Sequence, residues 1–116
     1  MLYIIHIDNH LYEGAFMTNK ELSVFFKALS DETRVQVMKM LSTENLCACQ
    51  LLKELNISQP TLSHHMRILC ESGLVIANKA GKWVHYRINA VMFDQIKTFF
   101  DYNEKGNIAC DICMEK

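Results

Sequence analysis

Two thiol pairs and one polar helix face carry whatever chemistry this chain can do. Cys47-Ala48-Cys49 and Cys110-Asp111-Ile112-Cys113 hold four of the five cysteines, and Cys70 is the fifth. Thiolates are soft ligands, so Cys47 and Cys49 favour arsenite, Cd(II), Pb(II) or Zn(II) over Mg(II) or Ca(II). Cys-x-x-Cys is a common metal-ligand spacing, and Cys110 and Cys113 have it. The same tail pair suits a thiol–disulfide switch, in which oxidation rather than metal alters activity. The Cys-x-Cys pair carries a geometric condition. Successive positions of a regular helix lie about 100° apart, so residues i and i+2 splay by about 200° and cannot share a small ion. The pair works only at a frayed first turn or where the helix is locally distorted.

The polar face lies on Ser58-Gln59-Pro60-Thr61-Leu62-Ser63-His64-His65-Met66-Arg67-Ile68-Leu69. Ser58 is a good N-cap, and Pro60 is tolerated in a first turn because no intrahelical donor is lost there. On a 3.6-residue wheel Leu62, His65, Met66 and Leu69 share one side, and Gln59, Ser63, His64 and Arg67 the other. An amide, a hydroxyl, an imidazole and a guanidinium suit base edges and phosphates, and no acid interrupts them before Glu71. The face therefore reads as a recognition helix for the major groove of double-stranded DNA.

Composition is consistent with one edge of the protein meeting DNA. The chain has 116 residues, half of them apolar, and a formal charge of −1. That length suits one domain with a modest core. Between Ser58 and Arg87 four cations (Arg67, Lys79, Lys82, Arg87) face one acid (Glu71), so acids exceed cations by four in the rest of the chain. A local basic patch on an acidic body fits a protein that contacts DNA on one side only. An odd cysteine count without a cleavable signal points to a reducing, cytoplasmic setting. The apolar run Leu2–Ile7 is too short to span a bilayer, so no membrane partner is expected. No glycine-rich loop cradles a phosphate and no acid is spaced to orient a histidine as base, so no enzyme and no protein substrate are expected.

The elements that must position these groups follow in order. Residues 1–17 read as a loosely ordered arm, although His6, Asp8 and His10 alternate and on one strand would share a face. Thr18-Asn19-Lys20-Glu21 is a capping box for a first helix with Leu22, Phe25, Phe26 and Leu29 on one stripe. Ser30-Asp31-Glu32 starts a second helix whose Val37, Met38 and Leu41 point inward, and Ala48, Leu51, Leu52 and Leu55 form a short third ending near Asn56. With the helix from Ser58 this makes a helix-turn-helix. Leu74–Asn78 and Trp83–Ile88 are β-rich runs joined through Lys79-Ala80-Gly81-Lys82, a cationic hairpin suited to a phosphate backbone or a minor groove. Asn89 caps a last helix with Met92, Phe93, Ile96, Phe99 and Phe100 on a broad apolar strip. Together with Leu22, Phe25 and Phe26 that strip is expected to form a two-fold homodimer interface, placing two recognition helices for two half-sites. The fold expected is mainly α with a β-hairpin wing, a homodimeric winged helix-turn-helix over residues 18–103, followed by a cysteine-bearing tail at 104–116.

Three motifs in this order, Phe26-Lys27-Ala28-Leu29-Ser30-Asp31-Glu32-Thr33-Arg34, Ser58-Gln59-Pro60 with Ser63-His64-His65, and Gly81-Lys82-Trp83-Val84-His85-Tyr86, resemble the ArsR/SmtB family of metal-sensing repressors from about Glu21 to Asp101. The resemblance implies a dimer that binds its operator when metal-free and leaves it when metal binds. It also implies that Cys47 and Cys49, at the start of the third helix, belong to a thiol sensor. The third cysteine of some arsenite sensors falls here on Leu52, and the arm has no cysteine to offer. Cys110 and Cys113 are therefore the expected completion: three thiolates for trigonal arsenite, the favoured inducer, or four for Cd, Pb or Zn. From Asp101 an extended chain reaches about 25 Å by Cys110, far enough to fold onto its own subunit or a partner's. Ser58, Gln59, Ser63, His64, Arg67, Lys79, Lys82 and Arg87 are the DNA-contacting residues expected, and Cys70 is expected to be packing.

Overall fold

Helix boundaries in this chain are set by side chains that answer orphan backbone N–H groups. A computed structural model describes residues 17–101 in full, together with the backbone of 4–7 and 10–13. Thr18 caps α1 (Asn19–Ala28) through a reciprocal box, in which the Glu21 N–H donates to Thr18 Oγ1 at 3.1 Å and the Thr18 N–H to Glu21 Oε1 at 3.0 Å. Asp31 caps α2 (Glu32–Leu41), its Oδ2 accepting from the Arg34 N–H at 3.1 Å. That hydrogen bond is the main reason the Asp31 carboxyl is held below its ordinary value. Its contribution to stability is therefore complete above the ordinary carboxylate range and is lost as the pH falls through the lowered folded value.

The helix-turn-helix consists of α3 (Ala48–Leu55) and α4 (Gln59–Glu71). Between them Asn56 adopts the left-handed conformation (φ 53°) and its N–H reaches the Leu52 carbonyl at 3.2 Å, which ends α3 within one residue. Two residues later Ser58 accepts from the Thr61 N–H at 3.3 Å and α4 begins, with Pro60 in its first turn. Gly73 (φ +87°) turns the chain out of α4, and a Cβ there would sit 3.1 Å from Met92 Cε.

A three-stranded antiparallel sheet follows, in the order β3-β5-β4, from β3 (Leu46–Cys47), β4 (Val75–Ala80) and β5 (Trp83–Ile88). Pairing of Ala80 with Trp83 leaves only Gly81 and Lys82 as the hairpin loop, tighter than the four-residue link expected. Gly81 supplies the positive φ (+64°) that a two-residue turn of this hand needs at its first position. β3 was not expected at all. Two residues have no periodicity to read, and β3 exists because β5 offers it an edge. α5 (Ala90–Phe99) closes the chain's described part.

The core lies where α1, α2, α3 and α4 meet, with Phe25, Val37, Leu51, Met66, Leu69 and Leu74 all but fully buried. The expected inward residues of α2 are buried as read, and Met17 joins the same core. On α1 and α5 the apolar stripes divide. Phe25, Met92 and Ile96 are core, so Phe25 is withdrawn from the surface expected to dimerise. Phe26, Phe99 and Phe100 are 38, 53 and 64% exposed and meet tilted or edge-to-face as one aromatic cluster, with ring centroids 5.1 to 6.0 Å apart. In the arm, β1 (Ile4–Ile7) ends and β2 (His10–Glu13) begins between the histidines, and the two strands pair antiparallel. His6 and His10 are thus on different strands, so the shared face they would have had on one strand does not form. Asp8 lies outside the described residues.

Candidate functional site

The outer side of α4 is as polar as its wheel requires. Leu62, Met66 and Leu69 are buried, whereas Gln59, Ser63, His64 and Arg67 are exposed. The Arg67 guanidinium lies 3.3 Å from His64 Nδ1, an exposed pair that presents two donor groups together. Ser58 is also exposed, but its hydroxyl already donates to Thr61 Oγ1 at 2.8 Å and caps the helix, so its first role is to end the turn. Lys79, Lys82 and Arg87 are exposed on the wing: Lys82 in the loop, Lys79 opposite Val84, and Arg87 opposite Ile76 toward the root. Trp83, absent from the residues expected to contact DNA, is 52% exposed with the Lys82 ammonium 5.8 Å from its ring centroid. A large apolar side chain next to a cation at a hairpin loop was the available signal.

Arg67 makes the test of this face. If this face meets DNA and the guanidinium neutralises one phosphate, Arg67→Ala should weaken binding about tenfold and lower the slope of log affinity against log salt by about one. Fluorescence anisotropy at several salt concentrations measures both.

The thiol pair meets the geometric condition set by its spacing. Cys47 is not a regular helical residue; it is the N-cap of α3 with extended backbone (φ −87°, ψ 163°), and Cys49 follows in the first turn. The two Cα atoms are 5.4 Å apart and the sulfurs meet in a disulfide contact. Cys47 is also the last residue of β3, paired with His85 of β5, and its N–H donates to Gln50 Oε1 at 2.8 Å. One residue therefore belongs both to the wing sheet and to the start of the helix-turn-helix. Cys47 is buried and Cys49 exposed, so the pair opens to solvent on one side. Two convergent sulfurs fit a thiophilic ion but do not saturate one. Among the described residues no group of three acidic, histidine or cysteine side chains is assembled to hold a metal, and Cys110 and Cys113 lie outside them. Cys70 is half-buried, and burial first, then Glu71, pushes its thiol up, which keeps it protonated and a poor ligand. Its reading as packing agrees with this.

One feature near α4 was missed from the sequence. His65 is largely enclosed, and its Nδ1 lies 3.1 Å from an Arg34 Nη and 3.8 Å from Asp31 Oδ2. Nothing in local spacing links residues 31 positions apart.

Known proteins agree with this architecture. The family model described as bacterial regulatory protein, arsR family, matches residues 31–77. An arsenical resistance operon repressor of Staphylococcus aureus is 45% identical over 94 residues, covering 81% of this chain and 90% of the relative. A cadmium resistance transcriptional regulatory protein homologue, also from Staphylococcus aureus, is 36% identical over 91 residues, 76% of this chain and 75% of the relative. The fold is shared with a homodimeric winged helix-turn-helix DNA-binding domain from Mycobacterium bovis, with a TM-score of 0.59 at 23% identity over 71% of this chain and 80% of that one. No helix among the described residues is long and apolar enough to cross a membrane.

Proposed function

Because the chain belongs to the arsR family of bacterial regulatory proteins, whose members here are transcriptional regulators and not enzymes, we propose that it is a dimeric repressor released from operator DNA when arsenite binds its cysteine thiolates. The observation that carries the reading is the convergence of Cys47 and Cys49 at the joint between β3 and α3. Two thiolates drawn to one ion pull on a residue whose backbone is tied to the wing through His85 and to α4 through the short helix α3. A change there shifts the reader and the wing together, and an ion that binds the shifted state better releases the DNA.

The residues assigned to DNA are Gln59, Ser63, His64 and Arg67 on α4 and Lys79, Lys82 and Arg87 on the wing, with Ser58 orienting the first turn. Two copies joined through Phe26, Phe99 and Phe100 would present two such faces, as two half-sites require. Cys110 or Cys113 is assigned as the third sulfur for arsenite, and both together as the completion of a Cd(II), Pb(II) or Zn(II) site. Arsenite is preferred for its three-thiolate demand and for the arsenical resistance repressor among the relatives; the cadmium regulator homologue keeps Cd(II) as the principal rival.

Operator binding measured while arsenite, Cd(II), Pb(II) and Zn(II) are titrated tests this. The full chain should release at the lowest concentration with arsenite, and a chain ending before Cys110 should need at least about tenfold more. An unchanged response to every ion after truncation removes the tail from the site. A second reading, response to thiol oxidation, is favoured by the same contact: peroxide would take two protons and two electrons from Cys47 and Cys49 and leave a disulfide and water, withdrawing both ligands.

A further inference from the structure

The Arg34 guanidinium sits where three elements meet. Its Nε–H donates to the Ala28 carbonyl at 2.6 Å and one Nη reaches the Lys27 carbonyl at 3.5 Å, both at the C-terminal end of α1. Its other Nη is 3.1 Å from His65 Nδ1 on α4, and its own backbone N–H is held by Asp31 at the start of α2. A guanidinium has only donors, so His65 Nδ1 is the acceptor in this contact. The last carbonyls of a helix have no intrahelical partner, and a planar fork can answer them while pointing a third donor elsewhere. The His65 side chain is only 12% exposed, so its end of the bridge is largely shielded from competing water.

The position of this bridge matters because of what α1 and α4 each carry. Immediately before the bridged carbonyls of Lys27 and Ala28, Phe26 packs tilted against Phe99 and edge-on against Phe100 in the aromatic cluster. Next to His65, His64 and Arg67 form the exposed face of α4. We propose that Arg34 is a positioning residue that fixes the angle between the dimerising face and the reading helix, and so sets the half-site spacing the protein accepts. This rests on the reading that α4 contacts the operator and the aromatic cluster joins two copies. A two-fold dimer presents its reading helices at a separation determined by each helix's orientation relative to the interface. A bridge that tolerates only one orientation converts directly into a preference for one spacing.

The test uses the full chain, the operator located by footprinting, and duplexes in which the two half-sites are moved apart or together by one and two base pairs. Wild type should prefer the natural spacing. Arg34→Lys keeps the charge but loses the fork, and its affinity for the natural spacing should fall about tenfold, the worth of one shielded charge-assisted hydrogen bond. Affinity for altered spacings and for non-operator DNA should hold, so the preference collapses while sedimentation still shows the dimer. His65→Asn places an amide oxygen near the former Nδ1 and should retain the preference; His65→Leu should lose it. Retention of the wild-type preference by Arg34→Lys or His65→Leu overturns the proposal, as does an equal loss on every duplex. Should Arg34→Lys not fold, the contrast between the two His65 variants decides. A wild type that is monomeric or ignores the operator refutes the underlying reading instead.

Discussion

Cys47→Ser should give a repressor that keeps its operator at arsenite concentrations releasing the wild type completely, with the midpoint of release raised more than about a hundredfold. Loss of an outer-shell partner alone costs tenfold to about a hundredfold in metal affinity, and loss of one of two converging sulfurs costs more. The variant is a clean one because of where Cys47 lies. As N-cap of α3 with extended backbone, it occupies a position at which serine is among the preferred residues. Folding and ion-free operator binding should therefore be unaffected or slightly improved, and thermal unfolding in the absence of arsenite checks this. Cys49→Ser, at an exposed site in the first turn, should behave alike. Release of Cys47→Ser at the wild-type arsenite concentration would remove the thiol pair from the sensing site, whatever the tail contributes.

Phe99→Glu with Phe100→Glu is expected to separate the dimer and reduce operator affinity by about a hundredfold or more. In the proposed dimer each copy would hold one half-site, and the second contact would gain from the effective concentration that linkage to the first provides. Phe26, Phe99 and Phe100 form an aromatic surface that a monomer would leave in water, and burying such side chains is worth about 1.5–3 kcal/mol each. Two carboxylates in that patch would have to be desolvated against their own copies across a two-fold axis. The core does not depend on either ring, since Met92 and Ile96 of α5 and Phe25 of α1 fill it. Circular dichroism should be unchanged while sedimentation reports the monomer. A double variant that remains dimeric and binds normally would place the interface elsewhere.

Local signals were enough for much of the architecture. Thr18 with Glu21, Asp31, Ser58 with Pro60, Asn56 and Gly73 each act within a few residues of the backbone groups they satisfy, and the helices begin and end where these residues stand. The polar side of α4 was legible for the same reason, since a 3.6-residue period places Gln59, Ser63, His64 and Arg67 opposite Leu62 and Met66. The chemical nature of the thiol pair was legible too, together with the condition that Cys47 and Cys49 could not both be regular helix.

The contacts between distant parts were decided by tertiary structure. β3 forms because Leu46 and Cys47 meet Tyr86 and His85, nearly forty residues on, and that pairing makes Cys47 part of the wing sheet as well as of α3. Arg34 and His65 are joined only once α2 and α4 have packed. The division of Phe25 from Phe26, and of Met92 and Ile96 from Phe99 and Phe100, depends on how far a neighbouring element covers each helix. Capping and periodicity are properties of a few consecutive residues and survive in the bare sequence. Pairing partners and the limits of burial depend on which surfaces the folded chain brings together, and no local pattern encodes them.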